Sequence, residues 1–218
     1  MGKGEQTRAL ILGEAVALAS QVGIEGLTIG VLADRLKLSK SGLFAHFGSR
    51  EGLQLAVVEA AQADFVARAI KPALTEPRGL PRLCRLFDLW LANLDLPERP
   101  GGCPLLAAAV EFDDQPGPIR DRLAEGHRHL LATLARASAQ AVECGHLAAD
   151  TDAEQLAFEL FGLVLAAHHH LRLLGDGTAL ARARRGFAAR IERCQGPALS
   201  GAISVVDAAG VSGVSGAA

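Results

Sequence analysis

The stretch Leu38–Phe47, "LSKSGLFAHF", decides how the rest of the chain is read. Ser39 is placed to cap a short helix that ends near Phe47. Leu43 and Phe47 share one face of that helix and point back to hold it on a scaffold. Ser39, Lys40 and Ser41 crowd its amino-terminal end, where donors can reach phosphates and base edges, and Gly42 removes side-chain bulk where backbones must approach. His46 and Arg50 flank the helix as candidate phosphate contacts, and the helix after Ser49 offers free N–H groups to a phosphate oxygen. An ordinary core helix needs none of this.

The elements before it complete the unit. Leu10, Ile11, Ala15, Leu18 and Ala19 recur at helical spacing in a first helix over about Thr7–Val22, which Gly23 is placed to end. Thr28 caps a short helix to Leu36, and a tight connection at Lys37-Leu38 leads to the second short helix. Two short helices joined by a tight turn and backed by a longer one make a helix-turn-helix. In that arrangement the second short helix enters the major groove, about 12 Å wide. Lys3 and Arg8 could add a flexible arm.

Charge agrees. Residues 1–50 carry six Lys/Arg against four Asp/Glu, a net of +2 within a chain of formal net charge -2. A mildly basic module on a mildly acidic body points to a polyanionic partner for the module alone.

Beyond residue 50 nearly every segment reads as helix, with no Tyr and little β-branched alternation. Ser49 caps a helix over Arg50–Ile70 that Pro72 stops. Pro81 opens another, in which Leu83, Leu86, Phe87, Trp90, Leu91 and Leu94 fit one helical stripe. The loop "DLPERPGGCP" leads to a short helix "LLAAAVEF", and Ile119–Glu143 forms a long one. Thr151 with Glu154 is a capping-box pattern for a helix to Leu174, and a last helix covers about Thr178–Cys194. The fold class is all-α. Residues 1–50 are read as the DNA-binding domain, 51–195 as a second helical domain, and 196–218 as a low-complexity tail, disordered or loosely attached.

Four dispersed cysteines give neither a zinc pattern nor a disulfide framework, so no metal and no cofactor is expected. The start "MGKGEQTRAL" lacks the apolar core of a signal peptide. Leu156–Leu174, the most apolar stretch, holds Glu159, three histidines and Arg172, so a membrane span is not expected; the protein should be soluble and cytoplasmic. An enzyme is not expected either. There is no Gly-x-Ser-x-Gly, no phosphate loop and no His/acid pair at a catalytic spacing.

The segment "RALILGEAVALASQVGIEGLTIGVLADRLKLSKSGLFAHFGSREGL", Arg8–Leu53, resembles the DNA-binding domain of TetR-type repressors. The landmarks are Ala15, Gly23, Thr28, Leu32-Ala33, Ser39-Lys40, the aromatic-x-His-Phe end at Phe44–Phe47, and Arg50-Glu51. The candidate DNA contacts are thus Thr28, Ser39, Lys40, Ser41, Gly42, Phe44, His46 and Arg50. Two departures stand out. Phe44 replaces the usual tyrosine and loses one hydroxyl–phosphate bond, about 1 kcal/mol. Lys37 replaces the usual turn glycine and is mildly strained if its φ is positive.

The resemblance implies a second domain that dimerises and holds an effector. Leu160–Ala167 is apolar or glycine throughout, so one face suits its own domain and the other a partner. Gly162, Ala166, Phe187 and Ile191 are the candidate homodimer interface. Phe87, Trp90, Cys103, Leu106, Phe112, Phe161 and His168 are the candidate lining of a pocket for a small hydrophobic or aromatic effector. The arginines from Arg182 to Arg193 read as a solvated face. The expected partners are a double-stranded DNA operator, a second copy and that effector, in a ligand-released repressor. The alternative is a DNA-binding dimer with no effector.

Overall fold

The computed structural model describes residues 3–195, and among these the regular structure is helical. The helices are α1 (Lys3–Gly26), α2 (Ile29–Leu36), α3 (Lys40–Phe47), α4 (Arg50–Phe65), α5 (Lys71–Leu74), α6 (Leu80–Ala92), α7 (Pro104–Glu111), α8 (Pro118–Glu143), α9 (Ala153–Leu173) and α10 (Ala179–Gln195). A π-helical turn, Val66–Ile70, joins α4 to α5. The expected tail, 196–218, lies outside the described residues.

Two compact units emerge. Among the described residues the first comprises those up to Arg68 with Ala92–His129, and the second comprises Ala69–Leu91 with those from Leu130 to Gln195. The role boundary expected at residue 50 is therefore not a break in packing, because α4 packs on α1 within the first unit.

In the first unit the core gathers Ile11, Ala15, Leu18 and Ala19 of α1 with Leu32, Leu43, Leu53, Val57 and Phe112. Fully burying one such aliphatic side chain is worth roughly 1.5–3 kcal/mol. Leu10 departs from the expected stripe and is 75% exposed. Gly23 ends the straight run of α1 as expected, with φ 77 and ψ 165, but helical residues resume to Gly26. Among the described residues Gly4–Gly26, not Leu156–Leu174, is the helix long and apolar enough to cross a membrane by length and composition. Its apolar stripe nevertheless forms the core just described. Arg99 is buried and donates to Asn93 Oδ1 (2.8 Å), and it sits 3.0 Å from Asp64 Oδ2, so its charge is compensated in place.

In the second unit α6 buries Leu83, Leu86, Phe87, Trp90 and Leu91 as its spacing requires. Leu94 follows the end of α6 and is buried in the first unit. Phe87 stacks on Phe187 of α10 with ring centroids 4.4 Å apart, and Trp90 meets Phe161 of α9 at 5.7 Å. Helices α9 and α10 pack along each other, close enough at Gly186 that an added Cβ would lie 2.8 Å from Leu163.

Two local expectations need correction. Pro72 does not stop a helix: the chain widens into the π turn and continues as α5, with Pro72 in the first turn, where a missing N–H costs nothing. Asp152, not Thr151, caps α9; its carboxylate accepts from the amides of Glu154 (3.0 Å) and Gln155 (2.9 Å). A carboxylate at that end also meets the positive pole of the helix.

Candidate nucleic-acid interface

Three hydroxyl caps set the frame of the helix-turn-helix. Thr28 accepts from Val31 N at 3.1 Å, Ser39 from Gly42 N at 3.1 Å and Ser49 from Gly52 N at 2.9 Å. Lys37 closes α2 with φ 57 and ψ 37, the left-handed conformation that glycine would adopt more cheaply. Its amide donates to Ala33 O, so the α2–α3 turn keeps its geometry without glycine.

Helix α3 is thereby held with Leu43 and Phe47 buried and Lys40, Ser41, Gly42 and Phe44 exposed. Phe44 is 55% exposed, high for an aromatic side chain, and the Ser41 hydroxyl donates to Ser39 Oγ at 3.3 Å. Among the described residues neither Lys37 nor Lys40 is in an ion pair. No acidic residue lies on α3, and His46 is half-buried at its carboxyl end. Thr28 is half-buried, as expected of a cap. Exposed hydroxyls and an unpaired ammonium at the start of a helix suit contact with phosphates and base edges.

Several expected roles shift. Gly42 is not where backbones meet; a Cβ there would find only Ser39 Oγ, at 3.0 Å. The close approach occurs at Gly52, where a Cβ would lie 2.3 Å from the Phe47 carbonyl oxygen. Arg50 donates to the Glu25 carbonyl and so braces the α1–α2 corner instead of standing free. Arg8 is inside α1 with its guanidinium 5.4 Å from the Phe47 ring centroid, so it forms no flexible arm.

The sequence reading missed what supports the α1–α2 corner. Gln54, buried on the apolar face of α4, donates to Ile24 O at 2.7 Å and to Leu27 O at 3.4 Å. The Glu25 amide donates to Glu111 Oε2 of α7 at 3.0 Å, and a Cβ on Gly23 would collide with that carboxylate. Gln54 left a readable signal, an amide in an otherwise apolar stripe. Glu111 left none.

The effector and dimer candidates divide. Cys103, Leu106 and Phe112 are buried in the first unit; Phe87, Trp90, Phe161 and His168 belong to the second. Phe87 and Trp90 are each 1% exposed and used up in ring packing. None of the seven lines either of two solvent-open depressions on the described residues of the second unit, one at Ile70, Ala73 and Leu86 and one at Leu163, Ala166 and Ala183. His168 is half-buried, its Nε2 lacks a hydrogen-bond partner among the described residues, and burial with neighbouring Arg172 and His169 pushes its pKa down. Of the interface candidates, Gly162 and Ala166 are exposed on α9 beside Phe158 (68%) and Leu165 (42%). Phe187 and Ile191 instead face the core of their own unit. The helical period gave the apolar face of α10 but not what covers it.

The expected solvated arginine face is substantially paired: Arg182 with Asp176, Arg184 with Asp88 and Arg190 with Glu159. Among the described residues no cluster of three or more His, Cys, Asp or Glu could hold a metal ion.

Comparison with known proteins gives a consistent picture. The family described as bacterial regulatory proteins, tetR family, matches residues 11–57, and the tetracyclin repressor-like C-terminal domain matches residues 79–187. No curated protein matches the sequence. A TetR transcriptional regulator from Chloroflexus aurantiacus is 26% identical, with a TM-score of 0.79 over 88% of this chain and 98% of its own. A putative transcriptional regulator from Saccharomonospora viridis, solved with choline, is 23% identical, with a TM-score of 0.75 over 86% and 96%. AibR, solved with isovaleryl coenzyme A and operator DNA, is 19% identical, with a TM-score of 0.67 over 85% and 97%.

Proposed function

The chain belongs to the TetR family of bacterial regulatory proteins and is a DNA-binding transcriptional regulator; from that premise we propose that it is a cytoplasmic, homodimeric repressor released from its operator by a small molecule. The observation that carries the DNA half of the reading is the exposed face of α3, with Lys40, Ser41 and Phe44 outward and no acid to neutralise Lys40. In this reading Ser39, Lys40, Ser41 and Gly42 approach the groove. Phe44 offers an apolar contact such as a thymine methyl, and His46 lies toward the phosphates. Thr28 and Arg50 hold the frame: one caps α2, the other braces the α1–α2 corner.

Dimerisation rests on the exposed small and apolar face of α9 at Phe158, Gly162, Leu165 and Ala166. A dimer sets two α3 helices on half-sites about 34–36 Å apart, one helical turn of DNA. Nothing lies within 4 Å of a Cβ added at Gly162, so a large residue there is harmless to a single chain and harmful only to a partner contact. Gly162→Phe should therefore fold normally and run as a monomer on sizing; an unchanged dimer removes this interface.

Release by a ligand is supported by relatives of the same fold, one solved with choline and one with isovaleryl coenzyme A together with operator DNA. The proposed mechanism is a ligand-driven shift of α4 that spoils the spacing of the two α3 helices. A coupling of about 1–3 kcal/mol suffices. The packing of Phe87 and Trp90 favours a second reading, a DNA-binding dimer without an effector. Selection of genomic fragments by the purified protein tests the DNA reading: enrichment of a two-fold-symmetric site supports it, and unselective recovery contradicts it. Native mass spectrometry of the purified protein separates the ligand readings, because a co-purified small molecule excludes the second.

A further inference from the structure

Between Gly23 and Leu27 the chain leaves the straight run of α1 and turns toward α2. Gly23, with φ 77 and ψ 165, occupies a backbone region open in practice to glycine alone. Conformations of that kind persist where their surroundings fix them. Two helices do so here. From α4, Gln54 donates to Ile24 O and Leu27 O, and Arg50 donates to Glu25 O. The Glu25 amide goes instead to α7, where Glu111 Oε2 accepts it at 3.0 Å.

The Glu111 carboxylate is seated by shape as well as by that bond. A Cβ on Gly23 would collide with Glu111 Oε1, so the side chain occupies room that only glycine leaves. Gln115, just past α7, adds a second tie: its side-chain amide donates to Glu111 O at 2.7 Å and to Glu25 Oε2 at 3.2 Å. Glu111 stands 86 residues after Glu25, well beyond the Arg8–Leu53 segment that carries the DNA-binding resemblance. In space it nevertheless belongs to the first unit.

Its charge has the wrong sign for DNA. A carboxylate in a module that meets phosphates lowers affinity by repulsion, so any gain Glu111 brings to DNA binding comes through geometry. The route is short. Helix α2 packs on α1 and on α3, so the angle at which the chain leaves the corner is passed on to α3.

We infer that Glu111 is a positioning residue for operator binding. Its carboxylate fixes the α1–α2 corner, and through α2 it sets the orientation in which α3 presents Lys40 and Ser41. The proposal rests on the reading of α3 as the face that grips DNA.

Two conservative variants of the full chain separate position from charge. Glu111→Gln removes the charge and keeps an acceptor oxygen within reach of the Glu25 amide. Glu111→Asp keeps the charge and withdraws it by one methylene. Affinity for a fragment recovered in the genomic selection is read by fluorescence anisotropy over a salt series, with Lys40→Ala measured alongside. Stoichiometric titration at high DNA concentration gives the active fraction of each variant, so partial unfolding is not counted as weak binding. Binding by Glu111→Asp should be at least threefold weaker at the parent's salt slope, since no phosphate contact is lost, and Glu111→Gln should stay within twofold of the parent. Repulsion alone gives the reverse order, with Glu111→Gln tighter and Glu111→Asp unchanged. In the free protein the Glu25 amide should exchange with solvent faster in Glu111→Asp and at the parent's rate in Glu111→Gln. Parental affinity in Glu111→Asp, equal losses in both variants, or a flattened slope in Glu111→Asp overturns the proposal. Parental binding by Lys40→Ala removes the α3 reading and this proposal with it. A loss in Lys40→Ala with none in Glu111→Asp sinks the positioning role alone.

Discussion

Helices α3 and α10 both carry basic side chains to the surface, and α10 carries more of them. It has Arg182, Arg184, Arg185, Arg190 and Arg193, against Lys40 and the half-buried His46 on α3. Counting charge would place a polyanion site on α10. Pairing narrows the difference and setting decides it. Among the described residues Arg185 and Arg193 stay without an ion pair on α10, but only α3 sets its cation beside exposed hydroxyls at a helix start. Three of the α10 arginines meet Asp176, Asp88 and Glu159, and the Glu159 carboxyl is held below its usual range by Gln155 and Arg190. Lys40 meets no acid and stands beside exposed hydroxyls at a helix start. A cation already neutralised in its own fold has little to offer a phosphate; one left unpaired beside hydrogen-bond donors retains its full attraction.

Charge reversal breaks this comparison most forcefully. Lys40→Glu places an acid on the DNA face of both protomers and should weaken operator binding by about a hundredfold, read by fluorescence anisotropy. Arg184→Glu should change operator affinity less than twofold. Its cost falls on thermal stability, up to about 1 kcal/mol, because its bridge to Asp88 is a partly exposed one. Comparable DNA losses in the two variants would remove the distinction.

A smaller effect tests whether the presentation of α3, beyond its charge, matters. Ser39→Ala removes the cap on Gly42 N and should cost about 1 kcal/mol of stability in denaturant titration. A variant as stable as the parent would show that the cap is dispensable.

The smallest effect concerns the inner side of the same architecture. Burial holds the pKa of His127 and of His168 below the ordinary histidine value, so folding favours their neutral forms. The stability this contributes is complete above about pH 6.5 and is lost as pH falls through the depressed native values. Thermal denaturation should therefore drop on acidification below about pH 6.5, and less steeply in a His127→Gln, His168→Gln variant. Parallel pH profiles would contradict it.

What could be read in the sequence follows how local each cause is. Thr28, Ser39 and Ser49 were legible as caps because a cap is settled within four residues. The tight turn at Lys37-Leu38 was legible for the same reason, while its positive φ entered only as a condition, through the glycine that the resemblance puts there. Pro72 misled because the π turn before it absorbs a residue that propensity alone reads as a stop. Phe187 and Ile191 misled in another way: their spacing announces an apolar face, and only the fold decides that Phe87 and its neighbours cover it. The Glu111 contact with Glu25 spans 86 residues and has no local trace. Arg50 was legible as important but not in its role, since the carbonyl it braces lies 25 residues earlier.

The most direct test is the salt dependence of operator binding by the parent, Lys40→Ala and Arg184→Ala. Each phosphate contact contributes about 0.9 to the slope of log affinity against log salt, so losing one per protomer should flatten the Lys40→Ala slope by about 2, with at least tenfold weaker binding at low salt. Arg184→Ala should overlay the parent. A Lys40→Ala line that coincides with the parent in slope and height would contradict the assignment of α3 as the surface that grips DNA.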